Sequence, residues 1–419
     1  MKFRRHLIYL LMLLPTVVLG AEYKATVSVK NNSGKAQKDA PVVIRLKELE
    51  GLDFVVRSAR VMQGHSVVDR QLDDMDNDGR KDELCFVCNL SGNETKQFDI
   101  VLSSENTYAS LAIPRVYADM QLDDKKKKHP YITSLEAPGD SYLYNDLYHH
   151  GVAFESELTA YRIYFDERQN IDLYGKKSYK LELHDTGFYT NAEQQSQGYG
   201  NDVLWAGQSV GCGSLKLWDG TGAMNWKKVR TRGQRLISAG PVRTVVELTD
   251  RGVDIEGASL PYDVRTVYTL YAGHREVRVD IHLDRPMEAP FLCTGVQKIG
   301  VSDEARQSNG GIAAEGYVKP DGLAVSWGSD YPEMGKKEQF PPEPVGLAVR
   351  VPEEYISKVL TDELNYLIVI GKSGQQDFHY FVSFCAAKET EGFHSAKEWF
   401  SHAEGWDTAD HLTTNVIRK

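Results

Sequence analysis

Residues 262–283 read YDVRTVYTLYAGHREVRVDIHL. Two runs rich in valine, threonine and tyrosine flank Ala272, Gly273 and His274, which is the pattern of a β-hairpin turning at glycine. In the second run Val277, Val279, Ile281 and Leu283 alternate with Arg278, Asp280, His282 and Asp284. A period of two puts the apolar set on one face of a sheet and the ionisable set on the other.

Working outward, similar runs recur along the chain. Residues 23–29, 41–46, 60–62, 84–88 and 97–102 are short and β-rich, with Gly, Asn and Asp between them. They predict a small antiparallel sandwich over 22–105. Residues 106–140 are less regular, centre on the charged run at 123–128, and read as a linker. Strand patterns return at 241–248, 323–327, 345–351, 364–370 and 379–386, so 141–419 is expected to form a large antiparallel β-supersandwich. Only the C-terminal end looks helical: Ser395 and Glu398 match a capping box, and Trp399, Phe400 and Ala403 follow on one face. The expected fold class is all-β with one short C-terminal helix.

The chain opens with Lys2, Arg4 and Arg5, an apolar run from Leu7 to Leu19, and the small residues Gly20 and Ala21. This is the pattern of a cleaved signal peptide over 1–21 and predicts a periplasmic or secreted protein with no membrane span after cleavage. Removing those three cations shifts the formal charge from −10 to −13. A chain this acidic is not built to hold nucleic acid or an anionic membrane. The cysteines Cys85, Cys88, Cys212, Cys293 and Cys385 are odd in number and lack zinc-ligand spacing, so they read as small buried apolar residues.

Residues 74–83 read DMDNDGRKDE. Aspartates at alternate positions before a glycine let a chain curl around a hard cation. Asp74, Asp76 and Asp78 with Asp82, and Arg80 through its carbonyl, are therefore candidate Ca²⁺ ligands. The helix-flanked version of this loop needs an acid where Cys85 stands, so the loop is a variant, and an acidic turn without an ion is the alternative. Within the small domain such an ion would be a structural staple.

Residues 148–177 read YHHGVAFESELTAYRIYFDERQNIDLYGKK and crowd two histidines, five carboxylates and four cationic side chains into strand-like sequence. Burying ionisable groups costs several kcal/mol unless they are paired or functional. Taken as one strand, residues 154–165 put Arg162 on the more apolar face with Phe154, Leu158, Ala160 and Tyr164. A guanidinium there either pairs with Asp166, Asp172 or Asp202, or clamps a substrate carboxylate. His149 and His150 precede Gly151 and suit proton transfer at a cleft rim, or a structural role. The glycine-rich residues 197–214 follow, with Tyr199 and Trp205 placed to stack on a sugar ring. No serine-nucleophile elbow and no HExxH signature is present.

The aspartate-rich loop, residues 149–165 and residues 171–176 together resemble a domain-of-unknown-function family found among secreted proteins of glycan-degrading bacteria, often beside pectin- and ulvan-type polysaccharide enzymes. More loosely, the large domain looks like the galactose-mutarotase type of supersandwich. The resemblance implies carbohydrate work and transfers no catalytic residue. The resulting expectation is an enzyme that cleaves uronic-acid-containing oligosaccharides or polysaccharides, as a lyase ahead of a hydrolase. A lyase would use Arg162 or Arg168 on the uronate, His149 or His150 as base, and Tyr161 as acid. Glu155, Arg168, Lys176, Tyr199, Asp202 and Trp205 are the expected substrate-binding residues. A hydrolase would draw two carboxylates from Glu155, Asp166, Asp172 and Asp202. An aldose epimerase and a non-catalytic glycan-binding protein are the alternatives.

Overall fold

The computed structural model describes residues 20–109, 112–123, 129–300, 315–333, 336 and 338–419. Most of the expected signal segment and residues 124–128 of the charged run lie outside them. Among the described residues no helix is long and apolar enough to cross a membrane.

The hairpin forms as its alternation demands. Tyr262–Tyr271 pairs antiparallel with Val277–Leu283, with Leu270 opposite Val277 and Val264 opposite Leu283. Val277, Val279, Ile281 and Leu283 are buried, while Arg278, Asp280 and His282 reach partly into solvent. The hairpin is the middle of a nine-stranded antiparallel sheet. Its neighbours are Arg243–Val253, Thr231–Ala239 and Ser134–Pro138 on one side, and Asp377–Ala386, Glu343–Arg350, Leu323–Asp330 and Glu315–Val318 on the other.

Two five-stranded sheets pack on the apolar face of this sheet. One runs Ala223–Met224, Lys216–Trp218, Leu292–Gln297, Asn365–Ile370, Ile356–Thr361. The other runs Asn201–Asp202, Ile171–Gly175, Ala160–Tyr164, Gly151–Ser156, Val116–Asp119. A single core, including Phe154, Tyr161, Leu173, Tyr268, Ile281, Leu347 and Phe384, joins all three. The stretch read as a linker thus supplies two strands, Val116–Asp119 and Ser134–Pro138.

The N-terminal unit is a separate sandwich with its own core around Val27, Phe86 and Phe98, whose rings are 4.9 Å apart. Its five-stranded sheet runs Leu412–Arg418, Glu22–Asn31, Thr95–Ser103, Ser58–Gln63, Ser66–Val68, facing a three-stranded sheet of Gln37–Arg45, Glu83–Leu90 and Arg70–Asp73. The last of the described strands therefore returns to pair with the first of them, placing Ile417 opposite Thr26. All five cysteines are buried and unpaired.

The helix Ala396–Glu404 starts where its cap requires: Ser395 Oγ accepts from Glu398 N at 3.3 Å. The Glu398 carboxylate reaches back one residue further than a capping box would, to His394 N at 2.9 Å. Trp399 anchors the helix, fully buried, with its indole donating to Leu347 O at 3.1 Å. Gly346 makes room for that ring, since a Cβ there would stand 2.5 Å from it.

Candidate functional site

Residues 148–177 fold as three strands, and the first two form a tight hairpin. Gly151–Ser156 and Ala160–Tyr164 are joined by residues 157–159, with Phe154 opposite Tyr161 and Glu155 opposite Ala160. The turn resets the parity expected of one continuous strand. Phe154 and Tyr161 share the core face, their rings stacked at 5.6 Å. Ala153, Glu155, Ala160, Arg162 and Tyr164 point to the other face, away from the apolar core. Arg162 is nonetheless fully buried, because residues 177–200 fold across this face with Leu183 and Phe188 against it.

That outer face is a buried layer of charge. Across the next pair Arg162 stands opposite Asp172. Its Nε donates to Asp172 Oδ2 at 2.6 Å, its Nη2 contacts the same oxygen, and its Nη1 donates to Phe188 O at 2.5 Å. Asp202 Oδ2 lies 4.0 Å from Nη2, and Tyr164 donates to Asp172 Oδ1 at 2.9 Å. Two carboxylates therefore share one guanidinium. Burial, and next the field of Asp172, push Asp202 well above the usual carboxylate range; burial also raises Asp172, against the pull of Arg162. Of the two readings open for Arg162, the ion pair is the one the geometry satisfies.

Glu155 and Lys176 form a second buried knot. Lys176 Nζ donates to Glu155 Oε2 at 2.5 Å and to the carbonyls of Ser156 and Lys180 at 2.6 Å each. Glu155 also accepts from the amides of Glu182 and Leu183. Both side chains are closed to solvent, so they hold the covering segment in place. Tyr161 is likewise in the core, its hydroxyl donating to Arg275 O at 2.6 Å.

The accessible chemistry lies at the rim. The His150 ring stacks on Tyr144 at 3.7 Å and 10°, with Phe188 at 4.3 Å. His150 Nδ1 donates to the Tyr144 carbonyl at 2.7 Å, which leaves the Nε2 lone pair for a ligand. Its backbone sits at φ 60°, a strained region for a side chain with a Cβ. Burial lowers His150 to about 4 and His149 to about 3, so both are neutral at neutral pH. His149 lies behind the rim, buried and without a hydrogen bond to either ring nitrogen. Arg168 sits 5.0 Å above the Tyr144 ring and 5.1 Å from Tyr164, and Nε and Nη2 hold Asp166 Oδ2, leaving Nη1 outside that pair. Tyr144 and Arg168 remain partly exposed.

The remaining expected residues are more dispersed. Tyr199 is partly exposed, with Lys180 Nζ 3.8 Å over its ring and its hydroxyl 3.3 Å from Asp185. Trp205 is 37% exposed on the loop after Asp202. Sequence reasoning missed Tyr144, Tyr164 and Phe188 as parts of the site. The first lies six residues before His150, and Tyr164 two residues after Arg162 on the same strand face. A cavity of about 280 Å³, at the seam between the small sandwich and the nine-stranded sheet near Asp39, Lys96 and Arg115, is apart from this rim.

In the small sandwich Asp74, Asp76 and Asp78 bring carboxylate oxygens within 4.8 Å of one another. Asn77 and Gly79 take positive φ, and their amides donate to Asp74. Asp82 Oδ2 accepts from Met75 N at 2.6 Å, and Arg80 N donates to Asp78 Oδ1, leaving the Arg80 carbonyl as its possible ligand. This all-oxygen donor set suits a hard cation.

Two solved structures from Enterococcus faecalis are similar to the chain. One, a protein in the glycosyl hydrolase family 38, has a TM-score of 0.45 and 8% identity, covering 94% of this chain and 47% of its own. The other, an alpha-mannosidase from strain V583, has a TM-score of 0.41 and 9% identity, covering 94% of this chain and 46% of its own. The chain thus spans about half the length of either. No curated protein matches it. A family model described as Domain of unknown function (DUF4861) matches residues 29–414, nearly the whole chain, and the protein belongs to that family.

Proposed function

We propose that the protein is an exported carbohydrate-active enzyme that cleaves uronic-acid-containing glycans, by β-elimination ahead of hydrolysis, at the rim formed by Tyr144, His150 and Arg168. The observation that carries this reading is the contrast in access. Asp172 and Asp202 are sealed beneath Arg162, whereas the neutral imidazole, the phenol and the guanidinium reach solvent together. In this reading Arg168, through Nη1, neutralises the substrate carboxylate and acidifies the C5 proton. His150 Nε2 takes that proton, the C4–oxygen bond breaks, and the Tyr144 hydroxyl protonates the departing oxygen. Burial, then Asp172, push the Tyr144 phenol up to about 12, which keeps it protonated and able to donate. The products are a 4,5-unsaturated uronate and a new reducing end.

The test incubates pectic and ulvan oligosaccharides with the full chain and follows ultraviolet absorbance of the unsaturated product alongside reducing ends. Both signals should rise together, and His150→Ala and Arg168→Ala should each lower the rate by about 10²-fold or more. Reducing ends without absorbance, lost in Asp202→Asn, would move the chemistry to the buried carboxylates; neither signal would overturn the enzyme reading for these substrates. We also propose Ca²⁺ at Asp74, Asp76 and Asp78, as a staple of the small sandwich. Micromolar-to-millimolar Ca²⁺ should raise the melting temperature of wild type and leave Asp76→Ala unmoved.

A further inference from the structure

The turn that carries Arg168 is held by a lysine that sequence reading did not single out. Lys216 begins the strand Lys216–Trp218 and is buried. Its Nζ donates to Arg168 O at 2.5 Å, Asn170 Oδ1 at 2.7 Å and Asn225 Oδ1 at 2.9 Å. An ammonium has three protons, and here three neutral oxygens take them. No carboxylate lies within ion-pair distance among the described residues, so the charge is balanced only at longer range.

The turn itself is strained and tied from several sides. Gln169 sits at φ 45°, its amide donating to both oxygens of Asp250 at 2.7 and 2.8 Å. Trp226 N donates to Glu167 O at 2.8 Å. Strain of this kind persists only where surrounding contacts over-determine it. Lys216 supplies two of those contacts, one on each side of Gln169.

We infer that Lys216 is a proton-dependent positioning residue, whose third N–H bond keeps the residue 166–170 turn, and with it the Arg168 guanidinium, in place at the glycan-binding rim. The assignment of that rim rests on the function proposed above. A neutral amine has two protons for three acceptors, so deprotonation releases one oxygen and slackens the turn. The groups that set this titration face Nζ from two sides. Asp166, Glu167 and Arg168 lie on the turn itself, and Cys293 lies on the neighbouring strand. Burial dominates and lowers Lys216 to about 7, with Asp166 the largest opposing influence. The turn is therefore tight below neutrality and loosens above it.

Three full-length proteins test this: wild type, Lys216→Met, and Asn225→Asp, which places a carboxylate on Nζ at a partly exposed position. Hydrogen exchange of residues 165–170, corrected for intrinsic rates, is read from pH 5 to pH 10, with calorimetric binding of a galacturonate trisaccharide alongside. In wild type the exchange should rise about tenfold through a midpoint near neutrality, Asn225→Asp should move that midpoint up by a unit or more, and Lys216→Met should exchange fast throughout. Exchange in wild type that is flat with pH, or a midpoint unmoved in Asn225→Asp, overturns the inference. If Lys216→Met does not fold, the Asn225→Asp midpoint decides alone. A turn that responds as expected while the trisaccharide fails to bind would refute the uronate reading and leave the role of Lys216 intact.

Discussion

The two faces of the sheet that contains Gly151–Ser156, Ala160–Tyr164 and Ile171–Gly175 are equally hidden from water and held by opposite means. On the inner face Phe154, Tyr161, Ile163 and Leu173 pack into the common core. On the outer face Arg162, Asp172, Asp202, Glu155 and Lys176 are buried in a mesh of ion pairs and hydrogen bonds. The inner face is stable because apolar area leaves water. The outer face carries a desolvation cost that only complete pairing offsets. Equal burial therefore conceals unequal tolerance: the first face resists loss of volume, the second loss of any one partner.

Replacing one residue on each face probes this directly. Phe154→Ala and Arg162→Met should each cost about 3–5 kcal/mol in urea unfolding at neutral pH. Their pH dependence should separate them. The Phe154→Ala loss should be constant, while that of Arg162→Met should shrink toward acid pH, where the stranded Asp172 takes up a proton. Parallel curves would show that the outer face is held by packing as well.

A smaller effect comes from Asp202. Its folded-state pKa is raised, so its favourable contribution is full below the unfolded value of about 3.9 and fades as pH climbs through the folded value. Asp202→Asn mimics the protonated acid and should stay within about 1 kcal/mol of wild type below about pH 4, while gaining relative stability toward alkaline pH. A difference from wild type that stays flat from about pH 5 upward would show that the carboxylate is ionised in place. The smallest effect belongs to the edge of the cover, where Tyr199→Ala removes a partly exposed ring beneath Lys180 and should cost about 0.5–1 kcal/mol with no pH dependence between 5 and 8.

Most of the fold was readable from periodicity, because strands such as Val277–Leu283 have one wet and one dry face and therefore alternate. Residues 151–175 were harder for a physical reason. Both faces of their sheet are covered, so burial imposes no alternation, and the turn at 157–159 carries no glycine or proline to mark it. Reading through it misassigned the face of Arg162, although Asp172 and Asp202 were both among its expected partners. The crowding of charge correctly marked an unusual environment but could not separate the sealed Arg162 from the rim Arg168. Lys216 gave no local sign at all, since its three acceptors come from segments brought together only by folding.

The return of Leu412–Arg418 to the edge of Glu22–Asn31 has a consequence for biogenesis. The small sandwich cannot finish this sheet until Leu412–Arg418, which follows every other described strand, has been synthesised, so its closure comes late. Such long-range pairing is slow to form. Until it does, one edge of Glu22–Asn31 lacks its neighbour and is a site for intermolecular pairing. A truncation of only the final eight or so residues would fix that exposed state permanently. Conversely, because Ala25 lies opposite Arg418, a short linker from Arg418 to Glu22 should yield a circular permutant of residues 22–418 whose new ends can be opened at a surface loop elsewhere.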